Sequence, residues 1–454
     1  MKSLIGDKKF YRMVLIVCIP IVIQNGFTNL ASLLDNIMIG QLGTLSMSGV
    51  SISNQLFQVF NVSVFGAMSG AGIFLAQFYG RGNRDGVHHC FRIKMLLGLL
   101  ISILAICIFK ILGPSLISLY LNDDPTASLT TLNFGKQYMD VMLIGLIPFA
   151  ITQVFSSSLR ETGNTVLPMK ASVIAVIVNF CINYILIFGH FGFPKLGVIG
   201  AAIGTVVSRI VEMGINIAAG LNNNYLRDAM HLDKISGDIF KNVVKRGMPL
   251  LCNEILWSIS IALISQCYST RGLFAVAAIN VTTTVTNFFM IICYAMGNSI
   301  SIIVGQRLGA GEIEYAKDCD LKMVFMNFMM CLCIGVALFL CSSFIPQIYN
   351  TSIEVKSLAT SLLRVSACML PIISLYYSSY FTMRAGGKTL LTFFFDSGYT
   401  FMFTFMVALC LTRFTNLPIF NVYLLVQCVD IPKAVLGITL VKKGIWVHNI
   451  VNEL

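Results

Sequence analysis

Long apolar runs alternate along this chain with short polar interruptions, and the alternation continues from the first residues to the last. A helix that crosses a bilayer needs about 20 mostly apolar residues. Runs of that length or more fall at roughly 12–39, 46–79, 92–119, 133–159, 166–189, 196–220, 242–269, 272–305, 321–349, 355–383, 389–412 and 418–441. Backbone inside hydrocarbon must satisfy its own hydrogen bonds, so the pattern predicts twelve membrane-spanning helices and an all-α integral membrane fold. Several runs are longer than a bilayer requires, which implies tilt, kinks or protrusion into water. Pro20, Pro148, Pro249 and Pro371 are the natural kink points.

The polar interruptions alternate in charge. Arg81, Arg84, Arg92 and Lys94 form one basic group, Arg160 and Lys170 the next, then Arg227, Lys234, Lys241, Lys245 and Arg246, then Arg307, Lys317 and Lys322. The loops between these groups are nearly bare. Counted by alternate loops, about 23 of the 31 Lys and Arg lie on one side and about 5 on the other, which makes the basic side cytoplasmic. Both termini then face the cytoplasm. The longest polar stretch, from Asn222 to Arg246, lies on the same side and divides six spans from six. This predicts an N-terminal bundle over 1–221, a cytoplasmic linker over 222–241 and a C-terminal bundle over 242–454.

The two halves repeat each other. An offset of 229 residues pairs Pro20 with Pro249, Gly43 with Gly272, Gln77 with Gln306, Gly80 with Gly309 and Gly82 with Gly311, so that AQFYGRG answers VGQRLGAG. Further along, an offset of 224 pairs Arg160, Gly163 and Thr165 of RETGNT with Arg384, Gly387 and Thr389 of RAGGKT. Six spans per half give both halves one orientation, so a pseudo-two-fold axis along the membrane normal relates them. That is the logic of alternating access about a site near the midplane.

Composition narrows the function classes. With 56% hydrophobic and 11% charged residues, the chain is too apolar for a water-soluble domain. The net charge of +11 sits in the interruptions and forms no stripe on a folded surface, which speaks against a nucleic-acid partner. The cysteines fall mostly inside spans (Cys107, Cys181, Cys293, Cys331, Cys333, Cys410) without ligand spacing, and read as small packing residues. The basic start followed by an apolar run lacks a cleavage site and reads as a retained first helix. His88 and His89 lie outside helical i, i+4 spacing and do not make a metal site. GGKT at Gly386 to Thr389 lacks the first glycine of a phosphate loop, with Thr382 in its place. No enzyme constellation and no bound cofactor is expected.

The chain resembles the MATE family, the multidrug and toxic compound extrusion transporters, over essentially its whole length. The first helix carries the likeness best, with Pro20, the Gln24-Asn25 step, and LASLLDNIMIGQLG containing Asp35 and Gly40. AQFYGRGN and the paired RETGNT and RAGGKT segments are similar to the family's repeated cytoplasmic elements. The resemblance implies a V-shaped pair of six-helix bundles that expels amphipathic organic compounds, often cations, driven by a sodium or proton gradient.

A carboxylate in mid-span costs about 2.5 to 3.5 kcal/mol on insertion scales, so each asks for a partner or a purpose. Asp35 lies roughly 33 Å along the first helix, in the outer half of the N-terminal bundle. By resemblance it is a protonation or cation site; otherwise it is a polar helix end. Glu254, about 18 Å into span seven, is expected near midplane and facing the cavity. Many family members carry a Glu one turn further on, where Trp257 stands here, on roughly the same helix face. Asp396 is either a second acidic wall or a helix-end residue satisfied by Lys388 or Arg384. Asn179 and Asn183 share a face of span five at i, i+4 and offer oxygen ligands to sodium or a bond to Asp35. Asn183 itself cannot take up a proton. Sodium, if it is the coupling ion, is expected at Glu254 or Asp35.

Arg209 with Glu212, and Asp430 with Lys433, are spaced i, i+3 and correspond at an offset of 221 with signs reversed. They read as self-neutralising pairs or as gating elements. Gln24, Asn25, Asn29, Gln55, Trp257, Phe288 and Tyr376 are candidate cavity residues, with Phe57, Phe60, Phe289 and Met290 as pliable cargo surface or plain packing. The acidic residues favour cationic cargo over the anionic head groups handled by lipid-linked precursor or polysaccharide flippases, the main alternative. A channel would need no matched bundles. The expected protein is a monomer in the plasma, bacterial inner, membrane, with the lipid bilayer and small organic cations as its partners.

Overall fold

A computed structural model describes residues 4–121, 125–230, 235–349 and 351–453. All regular structure among them is helical, and twelve helices are long and apolar enough to cross a membrane. We number these α1 (Lys8–Gly40), α2 (Thr44–Arg81), α3 (Arg84–Ser118), α4 (Thr126–Glu161), α5 (Val166–Phe188), α6 (Val198–Leu221), α7 (Gly237–Ser269), α8 (Leu273–Gly309), α9 (Ile313–Cys341), α10 (Ile353–Ala385), α11 (Thr389–Phe414) and α12 (Ile419–Lys442). They match the twelve predicted runs in number and order. The largest differences are at the starts of α3 and α9, which begin eight residues early, and at the end of α9, which closes eight residues early at Cys341. The first turns of both helices interleave charged residues with buried ones, Val87, Cys90 and Phe91 in α3 and Ala316 and Cys319 in α9, so averaged hydropathy misses them. The Asn83 side chain accepts from the Gly86 N–H (2.9 Å) and starts α3. Lys234, assigned above to the linker, lies outside the described residues.

The helices are not uniform. Pro20, Pro249 and Pro371 sit inside continuous helices, whereas α4 is interrupted by a 3₁₀ turn at Leu143–Gly145, just before Pro148. In α12 the helix is broken at Val429, ahead of Pro432, and the Tyr399 hydroxyl donates to the Val429 carbonyl (2.9 Å). Most unusual is α11, which is π-helical over Phe394–Gly398 and again over Thr400–Phe405. The glycines matched by the internal repeat adopt matched backbone: Gly43 and Gly272, Gly82 and Gly311, and Gly163 and Gly387 all have positive φ.

The chain forms two compact units, one of Met1–Val22, Ala76–Gly82 and Lys245–Leu454, the other of Ile23–Leu75 and Asn83–Val244. Compactness thus groups residues differently from the repeat. In the first unit, Phe10, Val14, Cys18 and Ile21 of α1 are buried in a cluster with Ile300, Ile303, Leu308, Met323 and Trp446. The end of α2 meets the end of α8 backbone to backbone. A Cβ on Gly80 would lie against the Gln306 carbonyl, and one on Gly309 against the Gln77 carbonyl, each at 1.9 Å. Gln77 then clamps the C-terminal tail. Its Nε2 donates to the Ala385 carbonyl (3.0 Å) and the His448 carbonyl (3.3 Å), and its Oε1 accepts from the Ile450 N–H (2.9 Å). Arg81 donates to the Val451 carbonyl (2.9 Å) and Asn449 to that of Leu308 (2.8 Å).

In the second unit, Lys94 is no loop residue. It is fully buried in α3, with Nζ 2.5 Å from the Glu161 carboxylate and within reach of the Ser157 and Ser158 hydroxyls. Burial leaves the ammonium one strong partner. Lys94→Met should therefore destabilise the purified protein by about 3–5 kcal/mol by taking the buried ammonium away from Glu161, and Glu161→Gln added to it should recover much of that loss. Thermal unfolding in detergent reads both. Gly80→Val should lower the melting temperature through an overpacking cost of about 1–3 kcal/mol, because the Gln306 carbonyl it meets is backbone and cannot rotate away.

Candidate ion and cargo sites

The site in the second unit is assembled from α1, α5 and α6. Asn183, fully buried, donates from Nδ2 to Asp35 Oδ1 (2.6 Å) and to Asn179 Oδ1 (3.2 Å), and Asn179 donates to the Thr205 hydroxyl (3.4 Å). The i, i+4 pair therefore shares one face, and that face meets the first-helix carboxylate. A glycine stripe on α6 allows the approach: a Cβ on Gly204 would lie 2.0 Å from Asn183 Oδ1, and one on Gly200 2.7 Å from the Leu186 carbonyl. Asn183 Oδ1 is buried and accepts no hydrogen bond. Carboxylate and amide oxygens held together in this way are hard donors of the kind that suit sodium, and the carboxylate alone suits a proton.

A second polar tie joins the same helices. Gln24 donates to the Ser172 hydroxyl (2.9 Å), which donates to Glu212 (2.5 Å). Arg209 turns elsewhere, with its guanidinium 4.9 Å from the Phe149 ring centre and a long bond (3.4 Å) to the Gly145 carbonyl at the break in α4. Arg209 and Glu212 are thus not a closed pair; each is tied to a different helix.

The site in the first unit runs through four helices. Glu254 of α7 accepts from the Tyr380 hydroxyl of α10 (3.0 Å). Asn253, beside it and buried, donates to Asp396 Oδ2 of α11 (3.1 Å) and makes a longer bond to Tyr380 (3.4 Å). The Ser397 hydroxyl bonds the carbonyl and the amide oxygen of Asn253, both at 2.5 Å. Asp396 Oδ1 is paired with Lys433 of α12 (2.9 Å), whose side chain is 3% exposed. Neither Lys388 nor Arg384 satisfies this carboxylate, and Asp430 does not hold Lys433. The π turn at Phe394–Gly398 and the break ahead of Pro432 bring Asp396 and Lys433 face to face, and neither irregularity is visible in hydropathy. Glu254 makes no ion pair among the described residues.

Of the remaining candidates, Tyr376 lies at the Asp396–Lys433 pair, with its ring centre 4.5 Å from the ammonium. Trp257 and Tyr376 are half-buried, Asn25 likewise, and Asn29, Gln55 and Phe288 are exposed. Phe57, Phe60 and Met290 are packing residues: Phe57 stacks edge-on against Phe109 and Phe60 lies beside Phe149. Sequence reasoning missed Asn253, Tyr380, Thr205 and Ser172. Asn253 carried a signal, a second polar residue adjacent to Glu254 within an apolar run.

Twelve apolar helices holding carboxylates and amides inside them define a multi-pass, all-α membrane protein. A family model, MatE, matches residues 20–185 and 249–408, and the two matches open on the Pro20 and Pro249 that head the internal repeat. The chain belongs to the MatE family of transporters. The probable multidrug resistance protein NorM of Thermotoga maritima is 26% identical over 82% of this chain and 79% of its own length. The probable multidrug resistance protein YoeA of Bacillus subtilis is 24% identical over 84% and 82%. Among solved structures, the Vibrio cholerae MATE transporter VcmN superposes with a TM-score of 0.86 at 18% identity, covering 96% of this chain and 97% of that one. A MOP-superfamily transporter from Pyrococcus furiosus does so with 0.84 at 19%, covering 97% and 96%. At these identities the likeness establishes the fold.

Gly204→Val and Asn183→Ala should each lower the melting temperature, at a cost of about 1–3 kcal/mol apiece. Both act on one contact, so the double variant should cost clearly less than the sum. A thermal-unfolding double-mutant cycle checks this, and additive losses would mean that Gly204 does not hold Asn183 in place.

Proposed function

We propose that the protein is a secondary active multidrug efflux transporter. It exchanges amphipathic, mainly cationic organic compounds for sodium or protons by alternating access, in the plasma membrane and with both termini cytoplasmic. The observation that carries the reading is the Asp35–Asn183–Asn179–Thr205 cluster, where the Asn183 amide draws the Asp35 carboxylate and the Asn179 amide oxygen together inside the membrane-spanning part of the chain. The multidrug names of the relatives support the cargo class.

In this cycle a coupling ion enters from outside and binds Asp35, with Asn183 and Asn179 supplying further oxygens if the ion is sodium. Cargo leaves, and the two six-helix bundles of the repeat, 1–221 and 242–454, joined in sequence by the linker over 222–241, rock inward to reload. Glu254, without an ion-pair partner among the described residues, is the carboxylate for cargo or a second cation in the first unit, with Trp257, Phe288 and Tyr376; Gln24, Asn25, Asn29 and Gln55 are the cargo candidates of the second unit. A membrane potential adds about 2.3 kcal/mol per charge per 100 mV, which is enough to bias the cycle.

Efflux of a fluorescent organic cation from vesicles tests this, with sodium and proton gradients imposed separately on wild type, Asp35→Asn and Glu254→Gln. Gradient-driven efflux is expected for the wild type, lost at least tenfold in Asp35→Asn and reduced in Glu254→Gln. Efflux unchanged in both variants would remove the site assignment, and a wild type that moves no organic cation would redirect the search to lipid-linked precursors.

A further inference from the structure

The surroundings of Lys433 have the chemistry of a receptor for an organic ammonium ion. Its Nζ donates to Asp396 Oδ1 (2.9 Å), to the Thr400 hydroxyl (3.1 Å) and, at longer range, to the Asp396 carbonyl (3.4 Å). The same nitrogen lies 4.5 Å from the Tyr376 ring centre and 5.9 Å from those of Phe395 and Tyr399. A carboxylate backed by three aromatic rings is what binds alkylammonium cations, through charge and through the negative faces of the rings. Here the cation is the protein's own, on a buried side chain.

The box is built for that place and is not a by-product of helix ends. The π turn carries Asp396 and Phe395 into it, the next π segment brings Thr400, and Tyr399 between them is fixed by its bond to the Val429 carbonyl. Asp396 is held from behind by Asn253, itself locked by Ser397. Arranged support of this kind would be surplus for a pair serving only to cancel insertion cost.

We propose that Lys433 is a specificity-determining residue: a tethered ammonium that occupies an organic-ammonium subsite and keeps such cargo off Asp396. The proposal rests on the reading of the chain as a transporter of small organic compounds, and deepens it. Organic cations are then handled through Glu254, while the Asp396 subsite stays closed to them in the wild type.

Truncation at Cβ in Lys433→Ala excises the equivalent of propylammonium, so propylammonium and propyltrimethylammonium are the probes. Equilibrium binding to purified protein in nanodiscs should be at least tenfold tighter for Lys433→Ala than for wild type, and Asp396→Asn added to it should abolish the gain. Lys433→Met, which refills the space with an apolar stem, should show no gain. Lys433→Thr opens the same space while keeping a hydroxyl towards Asp396 and serves if the alanine variant does not fold. A gain that survives without Asp396 would reduce the site to a bare cavity, and Asp396-dependent binding to the wild type as tight as to the variant would mean that Lys433 excludes nothing. Either result overturns the proposal. Binding needs no gradient, so its outcome is independent of whether gradient-driven efflux is found.

Discussion

The ends of α2 and α8 touch where neither side can spare an atom. Gly80 faces the Gln306 carbonyl and Gly309 faces the Gln77 carbonyl, and the four residues exchange places under the 229-residue repeat. Close backbone approach of this kind is how helices gain packing energy where lipid supplies no hydrophobic drive between them. It brings Gln77 to the place from which it secures the C-terminal tail and Ala385. It also explains why the last turns of α2 are compact with residues far later in the chain.

Charge is distributed with similar economy. In one half Lys94 is buried against Ser158 and Glu161; in the other, Asp320 is buried against Thr382, and Ser158 and Thr382 are partners under the 224-residue offset. Arg209 and Glu212 are answered by Asp430 and Lys433 with signs reversed. The repeat therefore preserves where charge is buried while exchanging its sign. A low-dielectric interior tolerates either sign if a hydroxyl or counter-ion is supplied at the same place. The two halves consequently differ in chemistry. Asp35 answers to neutral amides, and Asp396 to an ammonium ion.

Twelve helices, their order and the repeat were legible in the sequence because hydropathy reports the one requirement that all spans share. Asp35 with Asn179 and Asn183 was legible as well, since i, i+4 spacing places two amides on one face and a family resemblance supplied the carboxylate. The Asp396 side was not. Sequence distance made Asp430 the natural partner of Lys433, and only a π-helical turn in α11 and a proline break in α12 change which carboxylate the ammonium reaches. The early starts of α3 and α9 escaped for a simpler reason: charged residues alternate there with buried ones, and the average falls below that of an apolar run.

The π-helical stretch of α11 also bears on how this chain is compared with its relatives. Each π turn closes around one residue more than an α turn, and in an α-helix one residue of displacement turns a side chain by roughly 100°. A relative whose eleventh span is wholly α-helical would carry the counterpart of Asp396 at a different count from the start of the helix. Gapless alignment through this segment then sets side chains from different faces in one column, and an acidic residue that both proteins possess would register as missing. Counting along the chain is a poor guide to homology here; superposed backbones, with the inserted residues allowed for, are the ones to compare.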